Sequence, residues 1–328
     1  NEVVVKAILL APDQTPLPLS TRSIDNTINP ANPISAIAVP GLQINNSENA
    51  AQDARISIRG FGARAAFGIR GINIYLDGIP LTTPDGQTQI DHLPTRLIDK
   101  VAVLRGLSGT RYGNASGGVI DMQTTNDIGS LAKISADLGS FGFGRFTGSV
   151  QQKNRNNSLL ASVSTTKRNG YRNHSSYAHH HGVVRHKCKW SDRLEHSQSL
   201  LFMDSPYAYD AGALTLEEVR QNRAQARQRN VDFNAQEAVT QWQASLNARY
   251  RLDTGTLSAK MHWSPRDFMG WLPFEIYGAV DLNRNFYGTN LEYQSSVGSG
   301  KWLLGIDFQQ QDDHRQRFQN LAGSRGAQ

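Results

Sequence analysis

Two groups of side chains in this 328-residue chain have types and spacing suited to chemistry. His174, His179, His180, His181, His186 and Cys188 crowd one short segment, as metal ligands do. Arg64 and Arg70 flank Phe67 within the glycine-rich stretch Phe61 to Gly71, where charge-assisted hydrogen bonds would capture an anion. The histidines fail as a metal set, because alternate residues of a strand point to opposite faces. His179 and His181 therefore face away from His180, and no zinc-like pair spacing occurs. They read as solvated side chains of a loop or a barrel lumen, and no metal is expected. For Arg64 and Arg70 two readings stay open, anion capture and bracing of their own loop against neighbours. Gln87 and Gln89 either line the same pocket or are ordinary loop polars. No Gly-x-Ser-x-Gly turn is present, and Gly113 to Gly118 lacks the Gly-Lys-Ser/Thr ending of a phosphate loop. The chain is not expected to be an enzyme, and no cofactor is implied.

The elements that must position these residues are strands. Mean hydropathy is −0.47 and no apolar run reaches the roughly 18 residues of a membrane-spanning helix. A transmembrane strand needs only about 9–11 residues, half of which may be polar. After Asn126 the chain alternates with period two. Leu257, Ala259, Met261 and Trp263 share one face, and Thr256, Ser258, Lys260 and His262 the other. Trp302, Leu304, Ile306 and Phe308 alternate with Lys301, Leu303, Gly305 and Asp307. Nine strands are predicted near 132–139, 145–152, 158–167, 176–190, 194–203, 238–251, 256–264, 279–294 and 301–311. Short connectors (153–157, 191–193, 253–255, 295–300) alternate with longer ones (168–175, 204–237, 265–278, and the segment after Asp312). Loops sorted by length in this way fit an outer-membrane barrel. A polar helix is expected over Leu216 to Arg229, lying in solvent. The single Cys188 excludes an internal disulfide. The net charge of +6 suits an anionic partner, but the basic residues form no stripe, so nucleic acid is not expected.

Before residue 126 two stretches resemble the plug of TonB-dependent outer-membrane receptors. The first runs Ile56-Ser57-Ile58-Arg59-Gly60-Phe61-Gly62-Ala63-Arg64, through Phe67-Gly68-Ile69-Arg70-Gly71, to Tyr75-Leu76-Asp77-Gly78-Ile79-Pro80. The second is Val103-Leu104-Arg105-Gly106, then Arg111-Tyr112-Gly113-Asn114-Ala115-Ser116-Gly117-Gly118-Val119-Ile120. The loop Pro84-Asp85-Gly86-Gln87-Thr88-Gln89 is similar to the ferric-citrate-type and iron-chelate branch. Glu2-Val3-Val4-Val5-Lys6-Ala7 resembles the TonB box. The residues agree with these assignments on their own terms. Val3–Val5 is β-branched and suits strand addition to a partner sheet. Asp77-Gly78 marks a two-residue hairpin turn. Gly60, Gly62, Gly68 and Gly71 allow positive φ in a crowded loop. The chain departs from the family pattern at Ala102, where a Glu is usual, and at Leu107, where a Pro is usual.

The resemblance implies an α+β plug with a small mixed sheet over 1–126, then the N-terminal part of an antiparallel transmembrane β-barrel over 127–328. It implies location in the bacterial outer membrane and energy-coupled import of a ferric chelate. Ligand contacts would come from Arg64, Phe67, Arg70, Gln87 and Gln89. Glu2, Val3, Val4 and Val5 would bind a TonB-type periplasmic protein, and Arg59 and Arg105 would lock the plug to barrel carboxylates. Other expected partners are an anionic ferric chelate and outer-membrane lipid. A non-iron nutrient or organic cofactor is the alternative cargo, and a truncated, transport-inactive surface protein the alternative role. Plugged transporters have about 22 strands, so the nine counted here read as an incomplete barrel. With no signalling domain ahead of the box, transcriptional signalling is not expected.

Overall fold

A computed structural model describes residues 19–23, 39–45, 49–52, 54–65, 68–105, 112, 115–125, 130–297 and 300–328. Glu2, Val3, Val4, Val5 and Phe67 lie outside the described residues.

The N-terminal part is built on a five-stranded mixed sheet in the order β1-β8-β9-β5-β6. These strands are Leu19–Ser23, Ile98–Leu104, Gly118–Thr124, Ile72–Leu76 and Ile79–Pro80. β5 and β9 run parallel, and the other pairs antiparallel. Apolar residues decide the sheet's position. Ile72, Ile74, Ile98, Val101, Val103 and Val119 are fully buried, each contributing about 1.5–3 kcal/mol on leaving water. Two small pairs complete this part: β2 (Leu42–Asn45) with β3 (Arg55–Ile58), and β4 (Ile69–Arg70) with β7 (Gln87–Thr88). The expected hairpin turn is present, with φ of 51° at Asp77 and 77° at Gly78 between β5 and β6. Gly118 is required by space as well as by its φ of 131°: a Cβ there would lie 2.4 Å from the Leu104 carbonyl oxygen. Helix in this part includes a single 3-10 turn, Thr95–Leu97.

The rest is a nine-stranded antiparallel meander, β10 to β18, in sequence order. Its strands are Leu131–Gly139, Phe143–Lys153, Asn157–Arg168, Tyr177–Lys189, Leu194–Tyr209, Gln236–Leu252, Gly255–Trp271, Ala279–Val297 and Gly300–Phe318. All nine expected strands are present, but β14, β15, β16 and β18 run further than expected at the long-loop end. Segments 204–209, 265–271 and 312–318, expected in loops, are strand. Each pairs with a neighbour, as in Asp267↔Asn283 and Arg284↔Asp313, so the ladder continues where the apolar alternation stops. The expected helix Leu216 to Arg229 is two short helices, α1 (Leu216–Gln221) and α2 (Gln228–Asp232). It breaks at Asn222, whose side chain accepts from the Ala224 N–H at 2.9 Å and turns the chain. Nor does the segment lie wholly in solvent. Asn230 is buried and donates to the Asp210 carbonyl at 3.1 Å.

The alternation sorts side chains as expected. On the outer face of β15 to β18, Trp242, Leu246, Met261, Trp263, Leu291, Leu304, Ile306 and Phe308 are exposed. The opposite face of β15 carries Gln241, Gln243, Ser245 and Asn247 and turns toward the N-terminal part. Trp242 and Tyr250 on β15 are separated by about 26 Å of strand at roughly 3.3 Å per residue. At a tilt of roughly 40° that spans about 20 Å, close to the roughly 25 Å apolar band of a bilayer. At the upper level Phe202 and Trp242 pack at 4.4 Å between centroids, and the register places Trp263 and Tyr287 beside them. No helix among the described residues is long and apolar enough to cross a membrane, which says nothing of strands.

Candidate functional site

The two sheets meet at a polar seam with an apolar base. Val183 and Leu201, on the inner faces of β13 and β14, join the buried core around Ile72, Ile74 and Val101. Above and around this base, charged side chains cross from one part to the other. Asp91 meets Arg266 of β16 in a two-pronged pair, Nη1 to Oδ1 at 3.0 Å and Nη2 to Oδ2 at 2.6 Å. Arg266 Nη1 also donates to Gln241 Oε1 at 2.6 Å. Burial alone would push the Asp91 carboxyl up. The Arg266 guanidinium outweighs it, helped by hydrogen bonding from His92, and holds the carboxyl well below the ordinary range. Arg284 of β17 grips Asp313 through Nε and Nη2 at 2.8 and 2.7 Å, with Asp85 3.8 Å from Nη2. Lower down, Arg185 of β13 bonds Thr124 Oγ1, donates to the Thr125 carbonyl at 2.6 Å and lies 3.6 Å from Asp77. Arg96 pairs with Asp137 of β10 at 3.0 Å.

A narrow cleft opens at this seam, with room of about 30 Å³. One side is lined by Thr83, Gln87, Gln89 and His92, the other by Gln241, Gln243, Ser264, Arg266 and Arg284. The loop that carries Gln87 is shaped by its own Asp85. That carboxylate accepts from Thr83 Oγ1 at 2.6 Å and from the Gln87 N–H at 3.0 Å. Gly86 closes the turn at a φ of 78°. Burial pushes the Asp85 carboxyl up, but the bonds from Thr83 and Gln87 with the charges of Arg284 and Arg70 bring it below its ordinary value.

Of the residues expected from the sequence, Gln87 and Gln89 line this cleft. Arg70 lies at its edge and is braced, donating to the Asp85 carbonyl at 3.0 Å and reaching Gln87 Oε1 at 3.4 Å. Arg64 is exposed. Arg59 occupies a left-handed turn position (φ 50°), with its N–H on the Gly41 carbonyl at 2.9 Å. Arg105 donates to the Pro40 carbonyl at 2.8 Å.

The histidines divide by face. His179 and His181 turn inward with stacked rings 6.3 Å apart. His180 meets Thr165 on the outer face. His174 sits in a loop against the Ala235 carbonyl. Among the described residues no three His, Cys, Asp or Glu side chains are placed to hold a metal. The sequence reading missed Asp91, Arg266 and Arg284. Arg266 falls in a segment expected to be a loop, and only the extended strand register turns it inward.

Residues 23–119 match the TonB-dependent Receptor Plug Domain family. Over 97 residues the chain is 29% identical to the vitamin B12 transporter BtuB of Vibrio vulnificus (strain CMCP6), covering 29% of this chain and 15% of that protein. Its fold is similar to that of the ferric citrate transporter FecA in its unliganded form, with a TM-score of 0.73 and 18% identity over 92% of this chain and 47% of that one. It is also similar to the ferric yersiniabactin uptake receptor FyuA of Yersinia pestis, with a TM-score of 0.71 and 16% identity over 92% of this chain and 50% of that one. The chain thus spans about half the length of these solved structures. Its architecture is a TonB-dependent receptor plug seated against part of an antiparallel barrel wall whose outer apolar band suits it to the outer membrane.

Proposed function

We propose that this chain is the plug and a nine-strand part of the barrel of a receptor that imports a ferric chelate across the outer membrane. Energy would come from a TonB-type periplasmic protein acting on Glu2 to Val5. The observation that carries the reading is a plug domain packed on the inner face of a lipid-banded sheet, with a polar cleft at the seam. The plug is taken as residues 1–126, and the barrel part begins in the link between β9 and β10. The cargo would be held over the cleft by Gln87 and Gln89, with Arg64 and Phe67 as further ligand contacts. Arg70 would act by shaping the loop, while Arg59 and Arg105 would steady the plug. Binding and guided release do all the work, and no covalent step is needed.

The similarity to a vitamin B12 transporter favours one second reading, an organic cofactor as cargo. A lining rich in neutral amides (Gln87, Gln89, Gln241, Gln243) also suits an uncharged, amide-bearing ligand. The test is uptake of radiolabelled ferric citrate and of radiolabelled cobalamin in cells that carry the receptor, with and without the TonB-type partner. Partner-dependent iron uptake supports the first reading, and partner-dependent cobalamin uptake the second. Accumulation of neither, or accumulation indifferent to the partner, refutes energy-coupled import of these classes.

A further inference from the structure

Arg266 and Arg284 belong to two structures at once. Both line the cleft, and both are the wall's half of a plug–wall ion pair. The plug's half is short and continuous. Asp85 and Asp91 bracket the segment that presents Gln87 and Gln89 to the cleft. A further tie is weak, the Asp85 N–H reaching Gln311 Oε1 at 3.4 Å. At the cleft the charge polarity also differs from the expected lock, since the wall supplies the arginines and the plug the carboxylates, while Arg96–Asp137 keeps the expected polarity.

We propose that these arginines exchange partners. In the empty cleft Arg266 holds Asp91, while Arg284, gripped by Asp313, keeps Asp85 at 3.8 Å; when cargo enters, an oxyanion on it takes Arg266, draws on Arg284 in place of Asp85 and frees the 85–91 segment from the wall. The proposal rests on the import reading above and assigns the cargo an accessible carboxylate or comparable oxyanion. The Arg266 side chain is 4% exposed, and a charge so buried is strongly destabilising without a partner. It therefore keeps one anion or another, and the plug and the cargo offer the same chemistry. The fork of a guanidinium takes one carboxylate at a time in two-pronged geometry, so the Asp91 pair and a cargo pair on that edge exclude each other. Linkage then runs both ways: whatever the cargo does to the plug's hold, the plug does to the cargo's affinity.

The test uses the full receptor in detergent with citrate, a flexible tricarboxylate, as the probe. Citrate affinity is measured by calorimetry, and amide hydrogen exchange is followed over residues 84–93. Asp91→Asn and Asp85→Asn remove the competitor, so each should bind citrate more tightly, by about tenfold or more for Asp91→Asn. Arg266→Gln should lose tenfold or more. In the unsubstituted receptor citrate should speed exchange across 84–93, and in Arg266→Gln it should not. Asp85 is exposed, so its variant keeps the test open if Asp91→Asn fails to fold. A merely structural pair would leave affinity unchanged or weaken it when the acid is removed. That result, exchange indifferent to citrate, or no citrate binding by any form would overturn the proposal. Partner-dependent uptake that survives such a result leaves the import reading intact, while loss of uptake alone counts against that reading and not against the exchange.

Discussion

Asp121 shows how far a single residue can be tuned inside the seam. It lies on β9 near Asp77 and Lys260, and Gln123 donates to it at 3.2 Å. Burial is the main cause that lifts its carboxyl to about 6, with the nearby Asp77 adding to it. The same environment pushes Tyr75 up to about 12, again chiefly by burial. At low pH, below the ordinary carboxylate range, folded and unfolded chains both carry the neutral acid, and Asp121 has no effect on stability. As pH rises toward about 6 the unfolded chain ionises while the folded one resists, so stability falls. Above that the full penalty is present, on the order of 2 kcal/mol after allowance for a half-buried side chain. Asp121→Asn should therefore stabilise the plug by about that much at pH 7.5 and by nothing near pH 3.5. Thermal unfolding of the detergent-solubilised receptor at the two pH values measures it. A gain independent of pH would mean that packing, and not ionisation, is responsible.

Among the elements, the strands carry two different sequence signatures along their length. Inside the bilayer, lipid and lumen impose opposite polarities on alternate residues, and period two is plain from Leu257 to Trp263. Above the aromatic level both faces of β18 meet water or polar groups, and Gln309 to Arg317 is polar throughout. The hydrogen-bond ladder needs no alternation, so the strand runs on to Phe318 without a signal to announce it. The band makes a sided prediction. Ile306→Arg, on the outer face, should cost about 2–4 kcal/mol near the bilayer midplane. Gln309→Arg, on the inner face of the same strand, should be tolerated. Chemical unfolding of the receptor in lipid vesicles compares the two, and equal costs would mean that the assigned face is wrong.

For the whole molecule, the proposed import would demand that the plug be held firmly and still be movable. The described seam is mostly polar, with ion pairs at Asp91–Arg266, Arg96–Asp137 and Arg185–Asp77 around a small apolar base. Such pairs are costly to break singly but can be re-formed with another partner or with water. A pull on the N-terminal segment would use that property. Val4→Pro removes a backbone donor that strand addition to a partner needs. Uptake should fall at least tenfold while cargo affinity at the cell surface stays unchanged. Normal uptake by the variant would place the partner's docking strand elsewhere.

What the sequence determined was whatever local physics writes into a run of residues. Period-two alternation specified nine strands and their lipid face, because one residue's polarity reports one residue's surroundings. Glycine and Asp-Gly spacing specified the turns of the plug, because few other residues take positive φ. What only the tertiary structure decided were the meetings between distant segments. Asp91 and Arg266 are 175 residues apart, and Asp85 reaches Arg284 only because the turn before β7 comes level with β17. Neither residue's own neighbours in the chain carry any trace of that pairing. The cleft exists only where the two sheets face each other, so its charges could not be read from either sheet alone.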